Sequence, residues 1–363
     1  MNRWSFPSSV VETQSVPPPA RGRFQLALMC AAVLAVPLAI PLVNASRPHG
    51  PLVPTYLPAL EGPRERLPFD ANRIEELKYL KPGSVIIGDS MAGSRIDDRR
   101  LGALSGRPSA LLLQPGSGSA FWYLALKNWV ITSGIHPHVV FVFFRDTNLT
   151  DVLFRLDEQF RWSLDRVAHD REDELNAVVA TRTNTPTRRL GMAAERVYEG
   201  NRARDWVEPA LLTWPSRVLL PSRRHRDEFL AGMNERFGLE HQRPFEAADV
   251  QVSDEDGAHF SRFVDRSVLP LMLRDAQAAG LTLCLVRVQR RPVGGKPPVQ
   301  SQAMRRYVHD LQSYVQSHGG RLYDETGDPE LTIDMYGDGD HLVGGARRRY
   351  TDIFFNRLQR LFQ

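Results

Sequence analysis

Three residues, Ser90, Asp338 and His341, have the types and the spacing that nucleophilic chemistry needs. Ser90 closes the tripeptide Gly88-Asp89-Ser90, and the other two stand three apart in Asp338-Gly339-Asp340-His341-Leu342. A serine hydroxyl attacks a carbonyl only when a base removes its proton, and imidazole does this near neutral pH. An aspartate three positions before the histidine can hold one ring nitrogen while the other faces the serine. Taken singly the residues say less, since a serine after a strand serves equally as a helix cap and a lone histidine is commonly structural. Asp89 and Asp340 read as structural hydrogen-bonding groups, with Asp340 the alternative to Asp338. Gly116 and Gly118 could bring backbone N–H groups close to a ligand with no Cβ in the way, or simply form a turn. A further polar run is Arg145-Asp146-Thr147-Asn148.

These groups meet only if particular elements carry them. Residues 84–87 predict a strand running straight into Gly88-Asp89-Ser90, and 110–113 a second strand ending at the glycine pair. Residues 138–144 predict a third strand ending at Arg145, with 281–288 and 321–323 as later ones. Helices are expected over 97–104, 120–132, 266–279, 300–317 and 344–362. Continuous apolar runs suit parallel strands covered on both faces, and the strand–helix alternation implies an α/β fold, a parallel sheet sandwiched by helices. Sites in such sheets lie at the carboxyl ends of the strands, where the candidate residues fall. Residues 151–265 break the rhythm; rich in Arg and Glu and holding Trp162, Trp206 and Trp214, they read as a mainly helical insertion.

With 363 residues, 42% of them hydrophobic and 24% charged, the chain can bury a sizeable core. Its net charge of +4 comes without a compact basic helix, zinc spacing or interleaved aromatic motif, so no nucleic-acid partner is expected. Lys occurs only at 78, 81, 127 and 296, so the other 42 of the 46 basic residues are arginine, which reads as a bias of composition. Cys30 and Cys284 are not expected to pair, and no Cys/His spacing suits a metal; neither a metal nor a cofactor is expected.

The N-terminus suggests the compartment. Residues 24–43 carry no charge, about the length of a bilayer-spanning helix, and Arg3, Arg21 and Arg23 precede them. The expected layout is a cytoplasmic tail over 1–23, a transmembrane anchor over 24–43, a proline-bearing extracytoplasmic stalk over 44–80, and one domain over 81–363. The domain would then be periplasmic on a single-pass inner-membrane protein. Val43-Asn44-Ala45 also has the small-residue pattern of a signal-peptidase site, and cleavage after Ala45 would give a secreted protein.

The motifs in this order resemble the SGNH (GDSL-type) hydrolase superfamily, a flavodoxin-like three-layer fold. Its GDS block is met by Gly88-Asp89-Ser90 and its DxxH block by Asp338 and His341, with the frequent extension met by Leu342, Gly345 and Thr351. The glycine block is met by Gly118 or Gly116. The third block, GxND, is degenerate: Asp146-Thr147-Asn148-Leu149 keeps the asparagine alone. The resemblance, over about 81–150 and 266–363, implies a Ser90–His341–Asp338 triad. It also implies an oxyanion hole from the N–H groups of Ser90 and Gly118 with the Asn148 side chain, Gly116 and Arg145 being the alternatives. An anchored member of this kind is similar to the accessory proteins of bacterial polysaccharide O-acetylation. The expectation is therefore O-acetyl transfer to, or removal from, an extracytoplasmic polysaccharide, beside a multi-span membrane O-acyltransferase. The alternative is a non-catalytic, anchored carbohydrate-binding or scaffold protein of the same fold, stacking sugars on Trp122, Tyr123, Trp206 or Trp214.

Overall fold

The computed structural model describes Phe24, Cys30, Ala31 and residues 55–60, 66–156, 160–169, 171–183, 258–292, 294–297, 299–337 and 339–363. The chain divides into two units, Met1–His49 with Ala194–Pro221, and Gly50–Ala193 with Ser222–Gln363. Only Phe24, Cys30 and Ala31 are described in the first; everything below belongs to the second.

Five short strands form the central sheet, apolar runs except for the last: β1 (Ser84–Gly88), β2 (Ser109–Leu113), β3 (Val139–Phe144), β4 (Leu283–Arg287) and β5 (Arg321–Asp324). All neighbours are parallel, in the order β2-β1-β3-β4-β5. β1, β3 and β4 are buried along their whole length. Because side chains alternate across a strand, each of these strands supplies two cores. Val85, Ile87, Val140, Val142, Leu283 and Leu285 join one cluster. Ile86, Phe141, Phe143, Cys284 and Val286 join the other.

Helices cover both faces. In chain order they are α1 (Asn72–Leu80), α2 (Ser90–Arg95), α3 (Asp98–Ser105), α4 (Ser119–Leu124), α5 (Arg161–Val167), α6 (Asp173–Thr183), α7 (Phe260–Phe263), α8 (Leu269–Ala278), α9 (Gln302–Ser317) and α10 (Arg347–Leu358). α2, α3 and α10 pack on the second cluster, and the others on the first. Their starts follow local chemistry: the Asp97 carboxylate accepts from Arg100 N–H at 2.9 Å, and Ser301 Oγ from Met304 N–H at 3.1 Å.

The structure departs from the sequence expectations in several places. Part of the segment read as a stalk belongs to the domain: Tyr56, Leu57 and Leu60 are buried in the first cluster, and α1 adds Ile74 and Leu77. Proline density suggested an extended tether, yet apolar side chains between the prolines gain more by burial than by exposure. The helix expected over 120–132 changes pitch, with α4 passing into a π-helix at Ala125–Ile131. There the buried Asn128 side chain donates to Val167 O and to Glu172, each at 2.7 Å. The helix expected from 266 begins at Leu269, with Pro270 in its first turn. In the insertion, α5 and α6 bury Leu164, Val167, Leu175 and Val179, and residues 184–257 lie outside the described residues. The anchor expected over 24–43 also lies outside them, except Phe24, Cys30 and Ala31. Among the described residues no helix is long and apolar enough to cross a membrane.

Candidate active site

The order β2-β1-β3 means that the chain leaves β1 toward one edge and returns to its other side with β3. Connections that diverge in this way open a crevice at the carboxyl ends of the two strands. Gly88 ends β1 there, and α2 begins at once. A Cβ on Gly88 would stand 2.8 Å from the Ala92 Cβ and 3.2 Å from the Phe143 Cβ, so glycine allows the helix to start this close to β3. Asp89 caps α2, its carboxylate accepting Met91 N–H at 2.8 Å. The capping task that a serine could have filled therefore falls to its neighbour. Ser90 Oγ lies instead 2.9 Å from His341 Nε2.

His341 sits in the loop between the 3-10 turn Ile333–Met335 and α10, and two sets of bonds hold this loop. It closes on itself, Gly337 N–H donating to His341 O at 2.8 Å and Val343 N–H to Met335 O at 2.9 Å. It is also tied to α2, the helix that starts with Ser90. The wholly buried Arg95 donates to Asp340 O and Met91 O, each at 3.2 Å, and to Gln289 O at 2.9 Å. Ser94 Oγ accepts Leu342 N–H at 3.3 Å. One short helix thus carries the serine at its start and, at its end, the groups that place the histidine. The buried Thr351 hydroxyl adds a link to the start of α3, accepting Asp97 N–H at 2.9 Å.

Asp338 lies outside the described residues. Both carboxylate oxygens of Asp340 are engaged, one by Arg145 Nη1 at 2.9 Å and the other by Arg291 N–H at 2.8 Å. Arg145 also approaches Asp146 at 3.5 Å, and Arg290 holds that carboxylate with its Nε at 3.1 Å and through its Nη2. Arg145, a candidate oxyanion donor, is thus bound into the support of the histidine loop. Beneath it, Arg95 Nε is 4.0 Å from Glu325, which accepts the Tyr350 hydroxyl. Burial pushes the Glu325 carboxyl up to about 7, against Arg95 and the Tyr350 hydrogen bond.

The other wall follows β2. Gly116, at φ 72°, makes the turn, and Gly118 precedes α4. A Cβ on Gly118 would stand 2.4 Å from Phe154 O, so glycine is what allows the 151–156 loop to close over this turn. Among the described residues no hydrogen bond engages the N–H of Ser90 or of Gly118, which leaves two backbone donors open on this wall. Asn148 N–H closes the turn after β3 on Arg145 O at 3.0 Å, and its side chain makes no hydrogen bond among the described residues. Burial raises the Asp89 carboxyl above its ordinary value, against the Met91 N–H and the charges of Arg155, Arg145 and Arg95.

No known family, curated protein or solved structure matches this chain.

A cavity of about 580 Å³ opens beside β4 and β5, lined by Cys284, Gly320, Arg321 and Arg357 among others. It lies at the start of β5, away from the carboxyl ends, and burial pushes its Cys284 thiol up to about 12, too high for a thiolate nucleophile. Two of the four aromatics expected to stack on sugars are not at the surface. Trp122 and Tyr123 are buried, the Trp122 indole N–H donating to Ser117 Oγ at 2.9 Å. Trp206 and Trp214 lie outside the described residues. Sequence reasoning passed over Ser94, Arg95 and Arg155. In a chain with 42 arginines nothing local marks the two that flank the serine.

Proposed function

We propose that this protein is an acyl-ester enzyme of the SGNH type, with Ser90 as nucleophile and His341 as its base. The observation that carries this reading is the 2.9 Å approach of Ser90 Oγ to His341 Nε2 at the strand-order reversal. The order β2-β1-β3-β4-β5 is also that of flavodoxin-like sheets, the arrangement the resemblance implies. In the first step Ser90 Oγ bonds to the ester carbonyl carbon while its proton passes to His341 Nε2. The carbonyl oxygen becomes an oxyanion, held by the Ser90 and Gly118 N–H groups with the Asn148 side chain as third donor. Collapse expels the alcohol, which takes the proton from His341 and leaves an acyl-Ser90. Asp338 is the group that would hold the other imidazole nitrogen through both transfers. Water then releases the free acid, or a sugar hydroxyl takes the acyl group, with His341 as base again.

The extracytoplasmic placement rests on the uncharged run 24–43 behind Arg3, Arg21 and Arg23. From it follow an acylated cell-surface or exported polysaccharide as substrate and a multi-span O-acyltransferase as neighbour. The test is hydrolysis of acetyl esters by the full chain in detergent. Activity that disappears in Ser90→Ala is the expected result, and activity that survives the substitution removes Ser90 from the mechanism.

A further inference from the structure

Arg155 stands on the glycine-loop wall, and its surroundings differ from those of every other arginine at the site. Its guanidinium lies over the faces of Phe154 and Phe160, 4.7 and 5.6 Å from their centroids. Nη1 is 3.8 Å from the Asp89 carboxylate, next in sequence to Ser90, and 3.7 Å from where a Cβ on Gly116 would stand. About a third of the side chain, 32%, remains exposed. None of its donors makes a hydrogen bond among the described residues, whereas Arg95, Arg145 and Arg290 all do. The backbone is committed to this placement. Arg155 has φ 55°, a left-handed conformation that side chains with a Cβ rarely adopt, and Phe154 O is seated against Gly118 immediately before it.

A planar guanidinium packed on two phenyl rings, short of hydrogen bonds and about a third exposed, suits a planar or tetrahedral anion. We propose that Arg155 binds a carboxylate or phosphate carried by the sugar whose ester Ser90 attacks, so that the substrate class is an acidic glycan. The proposal rests on the acyl-ester reading of the site. Two features agree with it. Asp89 pairs with Arg155 at 3.8 Å without a hydrogen bond, so an incoming anion competes with that ion pair alone. Burial, with Arg145 in the same sense and Asp89 against it, lowers the Arg155 pKa, the mark of a cation whose charge is incompletely compensated.

The experiment is equilibrium binding to the full chain by calorimetry, which does not depend on catalysis. Three probes share one ring: methyl glucoside, methyl glucuronide and glucose 6-phosphate. The expected result is that at least one anionic sugar binds about tenfold or more tighter than the neutral one, the scale of a charged hydrogen bond. Arg155→Asn, chosen because asparagine tolerates left-handed backbone, should bring that ratio close to one, and Arg155→Lys should restore part of it. Which anion is preferred separates a uronate-type from a phosphorylated glycan. Equal affinity for all three sugars, or a preference that persists in Arg155→Asn, overturns the proposal. Should wild type hydrolyse no acetyl ester yet keep an Arg155-dependent preference, the acyl-ester reading fails and the anion site stands.

Discussion

On the β3–β5 side of Ser90 the charged groups are engaged in holding a loop, whereas on the β2 side donors remain open. Arg145 and Arg291 N–H take both oxygens of Asp340, Arg290 takes Asp146, and Arg95 reaches three carbonyls. Across the serine, the Ser90 and Gly118 N–H groups and the Arg155 guanidinium meet no hydrogen-bond acceptor among the described residues. The difference teaches a division of labour. The engaged wall fixes His341 against Ser90, and the open wall is where a carbonyl and its substituents would be received. Substitutions on the two walls should therefore fail differently, the first through stability and the second through turnover or affinity.

The largest effect is expected from Arg95→Met. Removing one member of a buried charged pair costs about 3–5 kcal/mol, and here the bond to Asp340 O goes with it. The sign of the pH dependence follows from Glu325. A carboxyl whose pKa is raised on folding keeps a proton that the unfolded chain releases, so stability falls as pH climbs between the two values, here from about 4.5 to about 7. Arg95 opposes that rise, so its removal extends the window upward, and the deficit of Arg95→Met should widen between pH 7 and 8. Denaturant unfolding at several pH values measures this; a deficit independent of pH would show that the two residues are not coupled.

A smaller free-energy change, confined to turnover, is expected at Asn148, which follows β3 yet whose side chain makes no hydrogen bond among the described residues. If Asn148 is the third oxyanion donor, Asn148→Ala lowers acetyl-ester turnover by about 10²–10³ with an unchanged thermal midpoint. Near-native turnover makes it a turn residue only. A fall in stability instead would group Asn148 with Arg145 and Arg95 as a residue that holds the loop.

How far each wall could be read in the sequence follows from the range of the interactions. β1 and β3 were legible because 84–87 and 138–144 are continuous apolar runs, and the Ser90–His341 pairing because Ser90 sits in a short motif at the end of β1 and His341 in one just before the last helix. Arg95 was not, since its meaning depends on carbonyls 194 and 245 positions away. Asp89 could not be separated from Ser90 as the cap of α2, because either residue type can fill that position. The segment around Tyr56 and Leu57 read as a tether because its prolines are visible locally and its partners, such as Asp165 for the Tyr56 hydroxyl, are not. Arg155 was hidden by the abundance of arginine, and only against Arg95, Arg145, Arg290 and Arg291 at the site do its unengaged donors set it apart.

The most direct test of the central claim is to catch the acyl group on the serine. The full chain is mixed with an activated acetyl ester, quenched in acid within the first turnover, digested and weighed. The account predicts one acetyl group on the peptide containing Ser90, absent in Ser90→Ala and strongly reduced in His341→Ala, because the hydroxyl attacks only when the imidazole 2.9 Å away takes its proton. Acetylation of another residue, or labelling of Ser90 that His341→Ala leaves unchanged, would contradict it.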